Sequence, residues 1–441
     1  MIKSIKAIIN YPGIKRYSIN TIWLFIEKSL RIISGLFVGV WVARHLGPEL
    51  YGSLSYIISF VALFAAFSTL GLDVVLVREL VKTKEKSNTL LGTTFILKLV
   101  GAVLSIFLIF ISTYFISNDN NTNVMILIVS LTMIFSCFNV VDLFFQSKVK
   151  SKYIAYVNIA ALTLSSIIRI LLILNNGSLN AFVYMLLFDS IFFAIGCIYI
   201  YLHNKLSIRL WNFESKVALS LFKDSWPLLF SGIAIAIYMR VDQIMIKEML
   251  DFNSVGQYAA AVKISEAWYF IPMILGASLA PAIINAKEKS ELLYYTRLQN
   301  FYTLMVWLAI IVAIPIALFS RDIIEILFGI EYLEAAQVLV IHVWSGVFLA
   351  LGVACGKWYL AENYTRGALY KALVGMFVNI VCNYVFIPKY GINGAAYSTL
   401  IAQFSANVLY DIFDNRVRGQ LKYKFKAFFP YYLLRGNQFV K

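Results

Sequence analysis

Twelve separate stretches of this chain are apolar for long enough to cross the hydrocarbon of a bilayer, which takes about 20 residues of helix. They run over Tyr17–Ala43, Tyr51–Leu70, Leu90–Ile116, Val124–Phe145, Ile154–Leu174, Ala181–Leu202, Leu221–Met249, Val255–Ile284, Asn300–Phe319, Ala335–Ala361, Leu369–Ile387 and Asn393–Ile412. A backbone in lipid has to satisfy its own hydrogen bonds, so segments of this kind are helical. The expectation is an all-α polytopic membrane protein of about twelve transmembrane helices. Of the 441 residues 61% are hydrophobic and 14% charged, against roughly 25% charged in a soluble domain, which excludes a single water-soluble core.

The net charge of +15 at first suggests a nucleic-acid partner, but its distribution does not. With the N-terminus inside, alternating the loops places about 26 basic residues on the cytoplasmic side and about four outside, the bias that orients membrane proteins. Both termini are then cytoplasmic, and no nucleic acid is implied. Cys137, Cys197, Cys355 and Cys382 lie far apart in apolar sequence and read as small core residues rather than metal or disulfide positions. Lys3, Lys6, Lys15 and Arg16 precede the first span without a cleavage site, so that span reads as a retained anchor. After Asp414 the tail interleaves Lys422, Tyr423, Lys424, Phe425, Lys426, Phe428 and Phe429, as a segment lying on an anionic leaflet would.

Self-comparison gives a weak internal repeat. Leu46–Gly52 aligns with Leu250–Gly256, and Asn176-Gly177 aligns with Tyr390-Gly391 at a similar offset. Duplication of a six-helix unit would produce this, with bundles at 1–204 and 220–413, a cytoplasmic linker at 205–219 and a cytoplasmic tail at 414–441. Transporters of that design bind substrate between their halves and alternate its access.

Signatures of catalysis are missing from the sequence: there is no G-x-G, no G-x-S-x-G and no H-E-x-x-H. The reading is a transporter and not an enzyme, with no cofactor and no metal-binding residues beyond a possible coupling H⁺ or Na⁺. The informative residues are charges inside spans, because an unpaired one at mid-bilayer costs about 2.5–3.5 kcal/mol. Glu27 and Arg31 are four apart and can pair on one face, widened by Lys28. Lys263 and Glu266 are three apart and can pair likewise. Arg169 with Ser165, Arg240 and Asp242 add further charge, and Asn139, Asp142 and Gln146 line one face. Polar and aromatic faces continue with Tyr238, Gln243, Trp268, Tyr269, Asn379, Asn383, Thr399, Gln403, Asn407 and Asp411. Together they describe a hydrated interior of mixed charge. Lys98 and Lys223 read as snorkelling to an interface, and Gly35/Gly39 and Gly352/Gly356 have the spacing of close helix packing.

Val40–Gly52, Leu70–Asp73 with Val77–Leu80, Arg240–Met245, Val255–Ala261 and Ile264–Pro272 resemble bacterial polysaccharide flippases of the Wzx type, in the MATE-like MOP transporter superfamily. That resemblance implies two six-helix bundles around a central cavity in the bacterial inner membrane. It also implies an undecaprenyl-diphosphate-linked oligosaccharide, such as an O-antigen unit, as the molecule moved, with polysaccharide polymerase and chain-length machinery as partners. The cations Arg31, Arg240, Lys28, Lys263 and Arg169 would attract the diphosphate or an acidic sugar. Asp242, Glu27, Glu266, Asp73 and Asp142 are the candidates for ion coupling. A MATE-type multidrug or cation antiporter and a membrane-embedded polymerase or ligase are the competing readings.

Overall fold

The computed structural model describes residues 12–116, 119–362 and 364–430. In chain order the helices are α1 Pro12–Thr69, α2 Leu72–Lys82, α3 Ser87–Thr113, α4 Asn120–Ser130, α5 Thr132–Ser136, α6 Asn139–Ser147, α7 Lys152–Leu174, α8 Leu179–His203 and α9 Ser215–Met249. They continue with α10 Phe252–Glu266, α11 Phe270–Lys289, α12 Glu291–Leu318, α13 Ser320–Phe328, α14 Glu334–His342, α15 Ser345–Ala361, α16 Thr365–Tyr390, α17 Ile392–Phe404, a π-turn at Ser405–Leu409, α18 Tyr410–Phe413 and α19 Leu421–Lys426. Among the described residues, ten helical stretches are long and apolar enough to cross a membrane. The expected twelve are recovered once two local irregularities are recognised. The first of the ten stretches holds two crossings, separated where α1 breaks at Gly47 (φ 71°, ψ 170°) and Pro48. The last crossing is a run from α17 to α18 divided by the π-turn. Gly47 has a backbone conformation that side-chain-bearing residues avoid, and Pro48 supplies no N–H to continue the ladder.

The sequence stretch Val124–Phe145, expected as one helix, is three: α4, α5 and α6. No proline or glycine explains this. Ser130, Thr132 and Ser136 instead turn their hydroxyls back onto the carbonyls of Leu127, Val129 and Met133 at 2.7, 2.6 and 2.7 Å. Such back-bonding competes with the α-ladder and bends helices. The N-terminus of α4 is capped by Asp119, which accepts from Thr122 N at 3.1 Å. Hydrogen bonding from Thr122 holds its carboxyl below the usual carboxylate range.

The chain divides into two compact units. The first contains the described residues up to His45 and Phe64–Gly232; the second contains Leu46–Leu63 and the residues from Ile233 onward. In the first, Leu72, Leu76, Leu91, Val140, Phe145, Cys197 and Tyr201 form a buried core. Residues 205–219, read from sequence as a linker, pack in this unit: Trp211 Nε1 donates to Tyr201 Oη at 3.0 Å, and Gly92 leaves room for the backbone of Asn212. The second unit has its own core of Leu298, Phe301, Tyr302, Met305, Val306, Ala350, Leu351 and Ala354.

Within the second unit, two glycines let two backbones meet. A Cβ on Gly52 would lie 1.8 Å from the carbonyl oxygen of Phe252, and a Cβ on Gly256 would lie 1.9 Å from that of Pro48. Pro48 and Gly52 align with Phe252 and Gly256 in the internal repeat, so the contact is reciprocal, as a local two-fold makes it. Other glycine expectations are corrected. Gly35 and Gly356 face open space, while Gly352 is tight against the Asn407 side chain.

One side of the tail's described part packs within the second unit, while Phe425 and Phe429 stay exposed. Tyr423 stacks on Tyr295 with centroids 5.3 Å apart, Gln299 Nε2 donates to Tyr423 O at 3.0 Å, and Tyr302 Oη donates to Gln420 Oε1 at 3.3 Å. Lys424 is only 2% exposed and forms an ion pair with Asp411, 1% exposed, at 2.6 Å. The π-turn presents Asn407 O to the same ammonium at 2.5 Å. The final residues of the expected tail, 431–441, lie outside the described residues, as do Lys3 and Lys6. Nothing of the side chains of Lys15, Arg16 and Tyr17 is described.

Candidate functional site

Each unit assembles a polar site of its own, and the two differ in charge. In the first unit, α1, α5, α6, α7 and α8 surround a cavity of about 410 Å³ whose wall includes Arg31, Asn139, Asp142, Asn158, Ser165, Arg169 and Asp189. A second cavity, also about 410 Å³, is lined by Asp73, Asn139, Asp142 and Gln146. Asn139 and Asp142 belong to both walls. The break before α6 puts these two residues at the start of a fresh helix, with their side chains on the cavities.

The ion pairs of this unit are well defined. Arg31 Nε donates to Glu27 Oε1 at 2.9 Å, as the i,i+4 spacing predicts, with Glu27 buried and Arg31 largely exposed. Arg169 pairs with Asp189 of α8, a partner 20 residues away that helical spacing could not reveal. Lys98 does not snorkel; it is buried and bonded to Asp73 at 2.5 Å. Among the described residues Asp142 makes no direct ion pair, although Arg31 shares its cavity, and it accepts a hydrogen bond from Gln146 Nε2 at 3.0 Å. Lys28 is exposed and is not on either cavity wall.

In the second unit, Asp242 of α9 is 3% exposed and sits where four helices converge. Tyr258 Oη of α10 donates to its Oδ2 at 2.6 Å, and Asn383 Nδ2 of α16 donates to its Oδ1 at 2.6 Å. Thr399 of α17 donates as well. Asn383 Nδ2 also reaches Asn379 Oδ1 at 3.3 Å. Asn379 Nδ2 and Asn383 Oδ1 are buried without a partner, which is costly unless something else satisfies them. The polar stripe of the last span continues toward the tail through Gln403, Asn407 and Asp411. Asn407 Nδ2 donates to Gln403 Oε1 at 3.0 Å, and Lys371 Nζ donates to Asn407 Oδ1 at 3.0 Å.

The remaining sequence candidates are placed as follows. Gln243 is buried and accepts from Ser59 at 2.8 Å. Tyr238 is half-buried and packs over Gly375. Trp268 and Tyr269 are in the hydrophobic core of the second unit, outside both cavities. The expected Lys263–Glu266 pair does not form, because Lys263 lies over the Tyr51 ring at 5.6 Å from its centroid. Among the described residues Arg240, Lys263, Lys357 and Lys371, all half-buried, make no ion pair. Lys371 and Asp189 carry no sequence signal of their own; they emerge only when neighbouring helices are packed.

The arrangement has relatives. Residues 19–287 match the family model described as polysaccharide biosynthesis protein, and residues 227–385 match the MatE model. The capsular polysaccharide biosynthesis protein CapF of Staphylococcus aureus is 23% identical over 90% of this chain and 98% of its own length. The probable low-salt glycan biosynthesis flippase Agl15 of Haloferax volcanii is 25% identical over 47% of this chain, a match that spans only 44% of that protein. Among solved structures, an inward-facing multidrug resistance MATE transporter of the MOP superfamily superposes with a TM-score of 0.75 at 14% identity, covering 90% of this chain and 96% of that one. The lipid II flippase MurJ in an inward closed conformation gives 0.63 at 18% identity, covering 93% and 90%. These structural likenesses establish the fold, and the first family model spans more than half of the sequence. The chain belongs to the polysaccharide biosynthesis protein family, and it is a multi-pass membrane protein with the fold of the MATE transporters.

Proposed function

We propose that this protein is a flippase that carries a lipid-linked oligosaccharide across the membrane by alternating access. The observation that carries the reading is the charge of the second unit. Among the described residues Arg240, Lys263, Lys357 and Lys371 stand half-buried without a direct salt bridge, although Arg240 feels the charge of Glu266 and Lys371 that of Asp411, and such an excess of Arg and Lys inside spans suits a ligand of opposite sign. A diphosphate bridging lipid and sugar is such a ligand, and guanidinium groups match its oxygens in bidentate geometry. An antiporter of organic cations would gain nothing from them. The finer assignment is an undecaprenyl diphosphate carrier bearing an O-antigen-type or related surface-polysaccharide unit, in the bacterial inner membrane, delivered to a polymerase with its chain-length partner.

Coupling is assigned to Asp242. A buried carboxylate held by an amide N–H and two hydroxyls from other helices, with Asn383 Oδ1 close by and still unpartnered, suits a proton or a hard monovalent cation such as Na⁺. Asp242, Asn383 and Thr399 would hold the cation, whose charge would replace the donors now turned toward the carboxylate.

Reconstituted into vesicles with lipid-linked glycan from a strain lacking the gene, the wild-type protein should expose the glycan to an external glycosidase. Arg240→Ala with Lys263→Ala should slow this by more than about tenfold, the scale of one lost charge-assisted contact. Undiminished flipping by that variant at equal incorporation would remove the cationic site from the path. Asp242→Asn should retain glycan binding yet no longer respond to an imposed Na⁺ or proton gradient. If the variant still follows the gradient, coupling lies elsewhere.

A further inference from the structure

The cavities of the first unit have a charge balance that a diphosphate site would not have. Every cation on or beside them is already neutralised: Arg31 by Glu27, Arg169 by Asp189 and Lys98 by Asp73. Asp142, on the wall of both, has acidic Glu27 and Asp73 as well as Arg31 for electrostatic neighbours and makes no direct ion pair among the described residues. A phosphate entering here would meet cations already engaged by carboxylates and would add negative charge beside Asp142, and in a low-dielectric setting that repulsion is strong. On this reading Arg31 and Arg169 hold their own carboxylates instead of a diphosphate.

What the walls do offer is hydrogen-bonding capacity in both senses. Asp142 accepts, Asn139 and Asn158 donate and accept, and Phe193 gives an apolar ring face. Ser165 and Asp189 lie against each other on the same wall, and Ser165 Oγ and Asp189 Oδ1 make no hydrogen bond of good geometry, so a ligand hydroxyl or a water would compete with a weak contact only. A volume of about 410 Å³ falls in the range of small-molecule sites. Vicinal hydroxyls and amide N–H groups are the chemistry that pairs with carboxylate and carboxamide oxygens while leaving existing ion pairs intact.

We infer that this cavity is a carbohydrate subsite, which takes a neutral or amine-bearing sugar residue of the transported glycan by its hydroxyl and amide groups and rejects its diphosphate. The inference rests on the flippase reading and concerns the cavity of the first unit alone.

The test uses the full-length protein in nanodiscs and two probes. One is the lipid-linked glycan extracted from a strain lacking the gene; the other is the same material enzymatically stripped to the lipid diphosphate. Wild type should bind the glycan-bearing form about tenfold more tightly than the stripped form. Asp142→Ala and Asn158→Ala should each erase that preference while leaving the dissociation constant of the stripped form within about twofold, because a polar site that loses a partner discriminates less. Asp142→Asn keeps the side chain's size, so it separates lost recognition from lost folding, and monodisperse gel filtration is required of all three. A variant that weakens both probes equally, one that changes neither, or a wild type without preference overturns the sugar subsite and leaves the flippase reading standing. Wild type that binds neither probe overturns both.

Discussion

Gly52→Leu and Gly256→Leu should each leave no correctly folded protein, whereas Gly35→Ala and Gly356→Ala should be indistinguishable from wild type. The first pair would drive a Cβ to within 1.8 or 1.9 Å of a carbonyl oxygen on another segment of backbone, and the second pair have nothing within 4 Å. Side-chain clashes are relieved by rotamer changes, but here the opposing atoms are backbone in two helices, and interiors packed to crystal-like density cannot yield that distance. Even Gly52→Ala should prevent the two segments from meeting. Fluorescence-detected gel filtration of fusions measures this directly. A monodisperse Gly52→Leu peak at wild-type height would show that the crossing is not formed.

The second large effect is expected at the tail. Lys424→Met should lower the unfolding transition sharply, because it leaves Asp411 buried with no countercharge except through Lys371. Breaking a buried pair from one side typically costs about 3–5 kcal/mol, while replacing both members by apolar residues is often neutral. Lys424→Met with Asp411→Leu should therefore recover most of what the single change loses, and a double-mutant cycle followed by heat or denaturant isolates the coupling. Equal destabilisation by the single and the double variant would mean that packing of α19, and not the ion pair, holds the tail.

Much of the architecture could be read in the sequence because it rests on local patterns. Apolar runs of spanning length need no tertiary information, and Glu27 with Arg31 pairs within one helix turn. Arg169 and Asp189 belong to successive helices, so no spacing rule joins them. Lys263 and Glu266 fit a spacing rule and fail it, because the Tyr51 ring offers the ammonium a better partner from a distant segment. The interruptions around α5 are hidden for another reason: Ser130, Thr132 and Ser136 look like ordinary polar substitutions until their hydroxyls find backbone carbonyls. In the tail, composition is silent on Lys424. Alternating Lys and aromatic residues describe a membrane surface well, and only the position of Asp411 thirteen residues earlier turns Lys424 inward.

That inward lysine makes the end of the last crossing depend on residues that follow it. Asp411 closes the crossing, and its direct ammonium partner arrives only when α19 folds back onto it. Chains that stop short of Lys424 should therefore be degraded faster than those that stop a few residues beyond it.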